Sequence, residues 1–408
     1  MSTVRNQQQN PAFPNELPIP DEVVAIAATL EGKGFETWCV GGAVRDNLLG
    51  VASKDFDLAT AATPQQVQGL FPRTVPIGLA HGTIAVLDRK RESHEVTTFR
   101  MDVQTDGRHA VVEFGVSLDE DLARRDFTIN AIAYHPLRHD WRDLFGGESD
   151  LSTKVIRAVG EPSQRFREDY LRILRALRFA SRFGFEIEKA TWEAAVANAD
   201  GLAHLSAERV RDEWMRGLVG AERAGRLLEL WWGVGALERW FPEIRSREHG
   251  VWSGLFEAVD RFRDRDPVLI TSYLSNDPAA TLSRLKCSKA EIERGRVIGA
   301  HRGTEPDAAL AVEVRRWMSK VGAAADDLVA MVKVEGGGED LAGAVQQVRA
   351  TGAPLTVGDL AIDGNDLIAE GVERGPNMGS VLAGLLEDVL TDPSLNTKER
   401  LLERVRAH

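Results

Sequence analysis

The chain has 408 residues, 43% of them hydrophobic, and a formal net charge of −12. That length buries ample core in more than one packing unit, and no apolar run is long enough to cross a bilayer, which excludes a membrane partner. Cys39 and Cys287 are the only cysteines, so a disulfide framework and a cysteine zinc site are excluded; with nothing resembling a signal peptide, a cytoplasmic protein is expected.

"MSTVRNQQQNPAFPNELPIP", residues 1–20, is polar and proline-broken and reads as a mobile arm. "DEVVAIAATLEGKGF" (21–35) is an amphipathic helix closed by Gly34, "ETWCV" (36–40) a short strand, and "GAVRDNLLG" (42–50) a helix that stops at Gly50. "KDFDLAT" (54–60) alternates as a strand does. "TPQQVQGLF" (63–71) predicts a helix capped by Thr63 with Pro64 in its first turn. "HGTIAVLD" (81–88) and "HEVTTFR" (94–100) are two further alternating strands. Past "DLFGG" (143–147) strand signals nearly vanish and apolar residues recur at helical spacing, as in "DYLRILRALRFASRF", "SAERVRDEWMRGLV" and "MGSVLAGLLEDVL". "EGGGED" (335–340) reads as a flexible connection. The expected fold is α+β: a catalytic head over 21–150 with a mixed β-sheet, then an all-α neck (151–205), body (206–300) and tail (301–408).

Within the head, Asp55 and Asp57 stand two apart on a predicted strand, so both carboxylates face one side and Phe56 the other. Two carboxylates so placed can jointly hold Mg²⁺. The alternative is a solvated edge strand. Gly41 and Gly42 lie between a strand and a helix start, where backbone N–H groups point outward and bind phosphate. Arg45, one turn on, can reach the same anion. Glycine turn, arginine and paired carboxylates together suit a nucleoside triphosphate and its metals. Glu95, in "HEVTTFR", is the candidate third acid, to hold a metal or the attacking hydroxyl; a structural salt bridge is the competing reading.

The mean charge disfavours nucleic acid, but its distribution does not. Between Lys154 and Arg182 eight basic residues face only Glu161, Glu168 and Asp169, and such a stripe can bind RNA on an acidic protein.

"GGAVRD" (41–46), "DFD" (55–57), "RRDFTINAIAY" (124–134) and "RFREDYLRILRALRFASRFGFEIE" (165–188) occur in that order. So arranged they resemble the bacterial class II tRNA nucleotidyltransferases, in the polymerase-β-like nucleotidyltransferase superfamily. "LAIDGNDLIAEGVERGPNMGSVLAGLLEDVL" (360–390) is similar to the family's tail. The resemblance implies an enzyme that adds C, C and A to the tRNA 3′ end from CTP and ATP, with Mg²⁺ as cofactor and tRNA bound partly by the tail.

"REDYLR" can be read in hydrogen-bond directions. Glu168, Asp169 and Arg172 fall on a predicted helix, with Glu168 four residues before Arg172 and able to pair with it. A carboxylate only accepts hydrogen bonds and an arginine only donates them. Cytosine and adenine present an amino donor beside a ring-nitrogen acceptor; guanine and uracil reverse that order. An Asp169/Arg172 pair therefore accepts C and A and leaves its own groups unpaired against G and U. This matches the role the resemblance implies for these positions. A helix laced with surface salt bridges is the competing reading. The resemblance makes Arg175 and Arg178 nucleotide-binding, holding triphosphate or RNA backbone. Arg125 is a candidate triphosphate ligand and Asp126 a candidate for the ribose 2′-OH. Asn130, His81 and His94 read as structural, and the tryptophans at 231, 232 and 240 as helical core. Ser206 caps "SAERVRDEW", and Arg209 within it is expected to be structural.

Three rivals are set against full CCA addition: a poly(A) polymerase of the same fold, an enzyme adding only CC or only A, and a tRNA-binding relative with a dead head. "RFREDYLRILRA" is closer to the tRNA enzymes than to the polymerases, which favour proline after the Asp and tyrosine before the acidic pair. "MDVQTDGRHAVVEF" (101–114) resembles the flexible loop that CC-only enzymes lack, yet has Gln104-Thr105 where the family has an aromatic. A dead head would have lost a carboxylate, and both Asp55 and Asp57 are present.

Overall fold

The computed structural model describes residues 13–105, 110–244 and 249–407. The chain packs as two units that divide between Pro242 and Glu243. The first runs α1 (Asp21–Glu31), β1 (Thr37–Val40), α2 (Gly42–Leu48), β2 (Asp57–Thr60), α3 (Pro64–Leu70), β3 (Thr74–Gly78), β4 (Thr83–Leu87) and β5 (Ser93–Thr98). It continues through β6 (Arg100–Thr105), β7 (Ala110–Phe114), α4 (Leu118–Ala123), β8 (Ile132–Tyr134), β9 (Trp141–Asp143), α5 (Gly147–Thr153) and β10 (Val155–Ile156). After these the unit is mostly helical: α6 (Pro162–Glu168), α7 (Leu171–Phe183), β11 (Glu186–Ile187), α8 (Lys189–Ala197), α9 (Ala207–Gly220), α10 (Ala224–Gly233) and α11 (Ala236–Trp240).

Seven strands form one sheet in the order β3-β4-β5-β2-β1-β8-β9. Only the β2–β5 pairing is parallel, so the sheet is mixed. Its core gathers Trp38, Val40, Ala59, Phe99, Leu118, Leu122 and Ala133. Helix α1 buries Val23, Ile26, Ala27 and Leu30, the i, i+3, i+4, i+7 stripe that its sequence spells. Thr63 and Gln66 cap α3 reciprocally, with Pro64 in the first turn.

Several expectations change. Strand β3 was not legible in the sequence, because Pro76 interrupts it and Val75 and Ile77 are exposed; an edge strand tolerates both. Strand β2 begins only at Asp57, and Asp55 precedes it in the connecting chain. The arm is not loose over its described part. Phe13 stacks on Trp141 with ring centroids 4.3 Å apart, the Trp141 indole N–H donates to the Pro14 carbonyl at 3.0 Å, and Leu17 is buried. The segment 101–114 forms a separate hairpin, β6 with β7; residues 106–109 within it lie outside the described residues.

The division at Pro242 falls inside the expected body, since α9 and α10 pack on α7 in the first unit. Trp231 is fully buried there, edge to face with Trp214 at 4.9 Å, as expected for core rather than a stacking platform, while Trp232 and Trp240 are only partly buried. Ser206 stands at the N-cap of α9, but its side chain makes no capping hydrogen bond. The second unit is helical throughout its described residues. "EGGGED" forms a tight turn between the helices Ala325–Val334 and Glu339–Ala350, with Gly336 and Gly338 at positive φ. Leu360, Ile362, Leu367, Leu385, Val389 and Leu401 make the core of its C-terminal part.

Candidate active site

Three neighbouring strands bring the head residues together at one end of the sheet. Val40, the last residue of β1, pairs with Asp57, the first of β2. Leu58 pairs in turn with Val96 of β5. Gly41, Asp57 and Glu95 thus form a row along the strand ends, with Asp55 just ahead of β2. Phe56 is buried while Asp55 and Asp57 reach solvent, although Asp55 and Phe56 lie ahead of the strand. Gly41 has φ +79°, a backbone that L side chains rarely adopt. A Cβ there would stand 3.3 Å from Arg125 Nη1 and 3.8 Å from Asp57 Oδ2, so the turn, the arginine and the carboxylate share one small space. Arg125 is held by Asp121 at 3.1 Å, and its Nε–H is buried without an acceptor. A cavity of about 1050 Å³ opens beside the row, lined by Asp55, Asp57 and Glu95 with Lys54, Lys90 and His94.

The acids repel one another. Loss of water around Asp57 raises its carboxyl most, the charges of Glu95 and Asp55 raise it further, Arg125 opposes them, and the result is about 6. Hard oxygen donors with unrelieved like charge suit a divalent cation. Among the described residues no three His, Cys, Asp or Glu side chains come close enough to hold a metal ion; Glu95 stands beside the pair without closing a three-donor cluster.

That electrostatic strain has a measurable sign. The folded-state value lies above the ordinary one, so the charged Asp57 opposes folding. The penalty is full above about pH 6 and gone below about pH 4, where the carboxyl is protonated in both states. Because Asp57 reaches solvent, screening cuts the penalty to about 1 kcal/mol. Without nucleotide or divalent cation, Asp57→Asn is expected to raise the thermal midpoint by about 2–4 °C near pH 7.5. The gain should shrink to nothing near pH 4; a gain independent of pH would contradict it.

The expected base-reading helix is not one helix. Helix α6 ends at Glu168, Asp169 is extended (φ −154°, ψ 106°), and α7 starts at Leu171. The break has a local cause: Asp169 accepts the Leu171 N–H at 3.0 Å, taking up a free donor of the next helix. Asp169 and Arg172 are therefore not two residues of one helix, although the Arg172 N–H still donates to the Asp169 carbonyl at 3.0 Å. The Arg172 guanidinium donates to Glu168 at 2.7 Å and to the carbonyls of Arg165 and Arg124 at 3.1 and 3.0 Å. Asp169 pairs with Arg209 of α9 at 2.7 Å. Each of the two is anchored separately.

Three other candidates sit differently from expectation. Arg45 is buried, with its guanidinium against the rings of Phe179 and Phe183 at 5.0 and 4.9 Å. It donates to Asp46 and Asn130, while its Nη2 stays 3.7 Å from where a Cβ on Gly42 would stand. Asp126 is also buried, and its four acceptor positions are taken. The Phe127 N–H (2.8 Å) and Asn130 Nδ2 (2.9 Å) reach one oxygen, and two nitrogens of Arg175, each at 2.7 Å, reach the other. Burial alone would raise this carboxyl, but Arg175 and the hydrogen bonds of Asn130 and Arg175 outweigh it and hold it at about 2. No acceptor is left for a ribose hydroxyl; in this structure Asp126 fixes Arg175. Arg178 is buried against Glu213 at 2.5 Å and over Phe179 at 4.3 Å. It ties α7 to α9. Arg175 is partly exposed.

Sequence reasoning missed Asp121, which grips both Arg124 and Arg125; its position three and four residues ahead of them was a usable signal. It also missed the hold of Arg209 on Asp169, and Asp46 between Arg45 and Arg182. Nothing in the sequence announces pairs so far apart.

The chain matches the family model described as the poly A polymerase head domain over residues 37–157, and the one described as the probable RNA and SrmB-binding site of polymerase A over 184–247. It is 35% identical over 399 residues to a CCA-adding enzyme of Lactiplantibacillus plantarum, covering 93% of this chain and 94% of that one. It is 45% identical over 201 residues to one of Anoxybacillus flavithermus, 49% of this chain and 50% of that one. The crystal structure of Bacillus stearothermophilus CCA-adding enzyme in complex with CTP matches at 31% identity and a TM-score of 0.75, over 95% of this chain and 96% of that one. The Thermotoga maritima CCA-adding enzyme complexed with tRNA shares the fold at 20% identity and a TM-score of 0.66, over 94% and 93%.

Proposed function

The chain belongs to the CCA-adding enzyme family of tRNA nucleotidyltransferases, and from that membership we propose how its residues divide the work. It adds C, C and A to the 3′ end of tRNA, using CTP and ATP. The observation that carries the residue reading is the row of Gly41, Asp57 and Glu95 at one sheet end, with Arg125 Nη1 beside the turn.

The triphosphate lies at the Gly41–Gly42 turn, where a side chain would block it, and Arg125 offers its Nη1 to a phosphate oxygen. Asp55 and Asp57 would hold Mg²⁺ together with those phosphates; when bound, the ions neutralise the charge that builds as pyrophosphate departs. Glu95, on the far side of Asp57 from the turn, orients the attacking 3′-hydroxyl. Asp169 accepts the amino hydrogen of C or A, and Arg172, steadied by Glu168, donates to the ring nitrogen. Arg175 adds positive charge over the nucleotide. The head (21–150) does the chemistry, the neck (151–205) selects, and the body and tail (206–408) support and hold RNA. No helix among the described residues is long and apolar enough to cross a membrane, and a tRNA substrate supports a cytoplasmic site of action.

A tRNA transcript ending just before CCA tests the activity. With CTP alone it should gain two residues, with ATP alone none, and with both a single CCA end. A product stopping at CC, or a long run of A, would contradict full CCA addition and identify a CC-adding enzyme or a poly(A) polymerase.

Because the C-terminal part carries no base-reading motif, RNA there is held by shape and backbone. Binding of tRNA should weaken about 10³-fold or more between roughly 50 and 200 mM salt, and differ little among tRNAs with intact elbows. Filter binding across a salt series measures this; a salt-insensitive affinity would contradict it.

A further inference from the structure

Asn130 lies where three parts of the site meet. Its side-chain oxygen accepts from Arg45 Nη1 at 2.5 Å, and its side-chain nitrogen donates to Asp126 at 2.9 Å. Its backbone carbonyl takes a longer contact, 3.4 Å, from Arg125 Nη1. Arg45 belongs to α2, which follows the glycine turn; Asp126 holds Arg175 of α7. The same helix is gripped one turn earlier, where Arg172 donates to the Arg124 carbonyl at 3.0 Å. Segment 124–130 is therefore clasped to α7 at two successive rungs and to α2 at a third. At the outer end Arg182 of α7 reaches Asp46 at 3.0 Å, so α2 and α7 are joined directly as well.

We infer that Asn130 is a positioning residue for base selection: its amide sets α7, and with it Arg172 and Asp169, against the glycine turn and the metal carboxylates. This rests on the reading of Asp169 and Arg172 as the base-reading pair. The position demands an amide. A carboxylate would face Asp126 with like charge, and an apolar side chain would leave two buried charged groups short of a partner. Only one orientation of the amide works, because the flipped form would set NH₂ against a guanidinium and oxygen against a carboxylate. A base read by two hydrogen bonds needs its partners held to within about 0.5 Å. Loosening the clasp should blur discrimination before it stops incorporation.

The test is the ratio of kcat/KM for CTP to that for UTP, on a tRNA awaiting C, in wild type, Asn130→Ala, Asp126→Asn, Asp169→Ala and the Asn130→Ala/Asp169→Ala double variant. The ratio cancels the concentration of active enzyme, so a partly folded preparation still reports it. If Asn130→Ala yields no soluble protein, Asp126→Asn weakens the same bridge while keeping an acceptor for Arg175. The expected result is a ratio reduced about tenfold in Asn130→Ala and in Asp126→Asn, with no further fall when Asn130→Ala is added to Asp169→Ala. A lower thermal midpoint with ratios within twofold of wild type in both Asn130→Ala and Asp126→Asn, while Asp169→Ala loses discrimination, would make Asn130 structural only. An unchanged ratio in Asp169→Ala would overturn the base-reading pair itself, and this inference with it.

Discussion

Replacing Asp55 or Asp57 by alanine is expected to abolish nucleotide incorporation, lowering kcat/KM by about 10³-fold or more. If the two carboxylates hold the metal as proposed, losing one removes several kcal/mol of charge stabilisation where pyrophosphate leaves, and about 1.4 kcal/mol is a factor of ten. For Asp57→Ala unfolding does not explain such a loss, because Asp57 opposes folding near neutral pH and its removal should leave the thermal midpoint level or higher; for Asp55→Ala the thermal midpoint is measured alongside. Binding of tRNA should largely survive. Single-turnover incorporation, read beside tRNA binding by the same variants, checks both halves. Near-normal turnover in either variant would remove that residue from the metal site.

The second large effect is on choice of base. On the proposed reading Asp169 supplies the acceptor for the amino group that C and A share, so Asp169→Ala should reduce use of CTP and ATP together. It should also relax the barrier to UTP and GTP, whose carbonyl no longer meets a carboxylate. A matched hydrogen-bonded contact contributes about 1–3 kcal/mol of discrimination, so selectivity should fall by roughly ten- to a hundred-fold. Arg209 pairs with Asp169 at 2.7 Å and is left without its carboxylate in the variant, so some general loss of rate is expected too. What matters is the change in the ratios among the four nucleotides. An equal loss for all four, with selectivity intact, would make Asp169 structural.

Much of the head could be read from the sequence because its signals are local. A glycine pair between strand and helix, carboxylates at a spacing of two and a capping box each follow from neighbours in the chain, and the backbone geometry agrees with them at Gly41, Asp57 and Thr63. What could not be read depends on packing across distance. Arg45 looks like an anion ligand beside the glycine turn, and Arg178 like a ligand in a basic stripe. Phe179 and Phe183 of α7, with Asp46, Asn130 and Glu213, draw them inward instead. Asp126 is a free carboxylate in the sequence and a saturated one in the fold, since Arg175 lies 49 positions away. The break at Asp169 was hidden because "REDYLR" fits helical spacing throughout, and only the side chain's hydrogen bond to the Leu171 N–H shows that it does not continue one.

The central claim is that protein side chains, without a nucleic-acid template, choose the base. Equilibrium binding of the four nucleoside triphosphates to the protein in the absence of tRNA tests it most directly. CTP and ATP should bind measurably tighter than UTP and GTP, with the preference lost in Asp169→Ala. Equal affinity for all four in the wild type, with discrimination appearing only once tRNA is added, would contradict it.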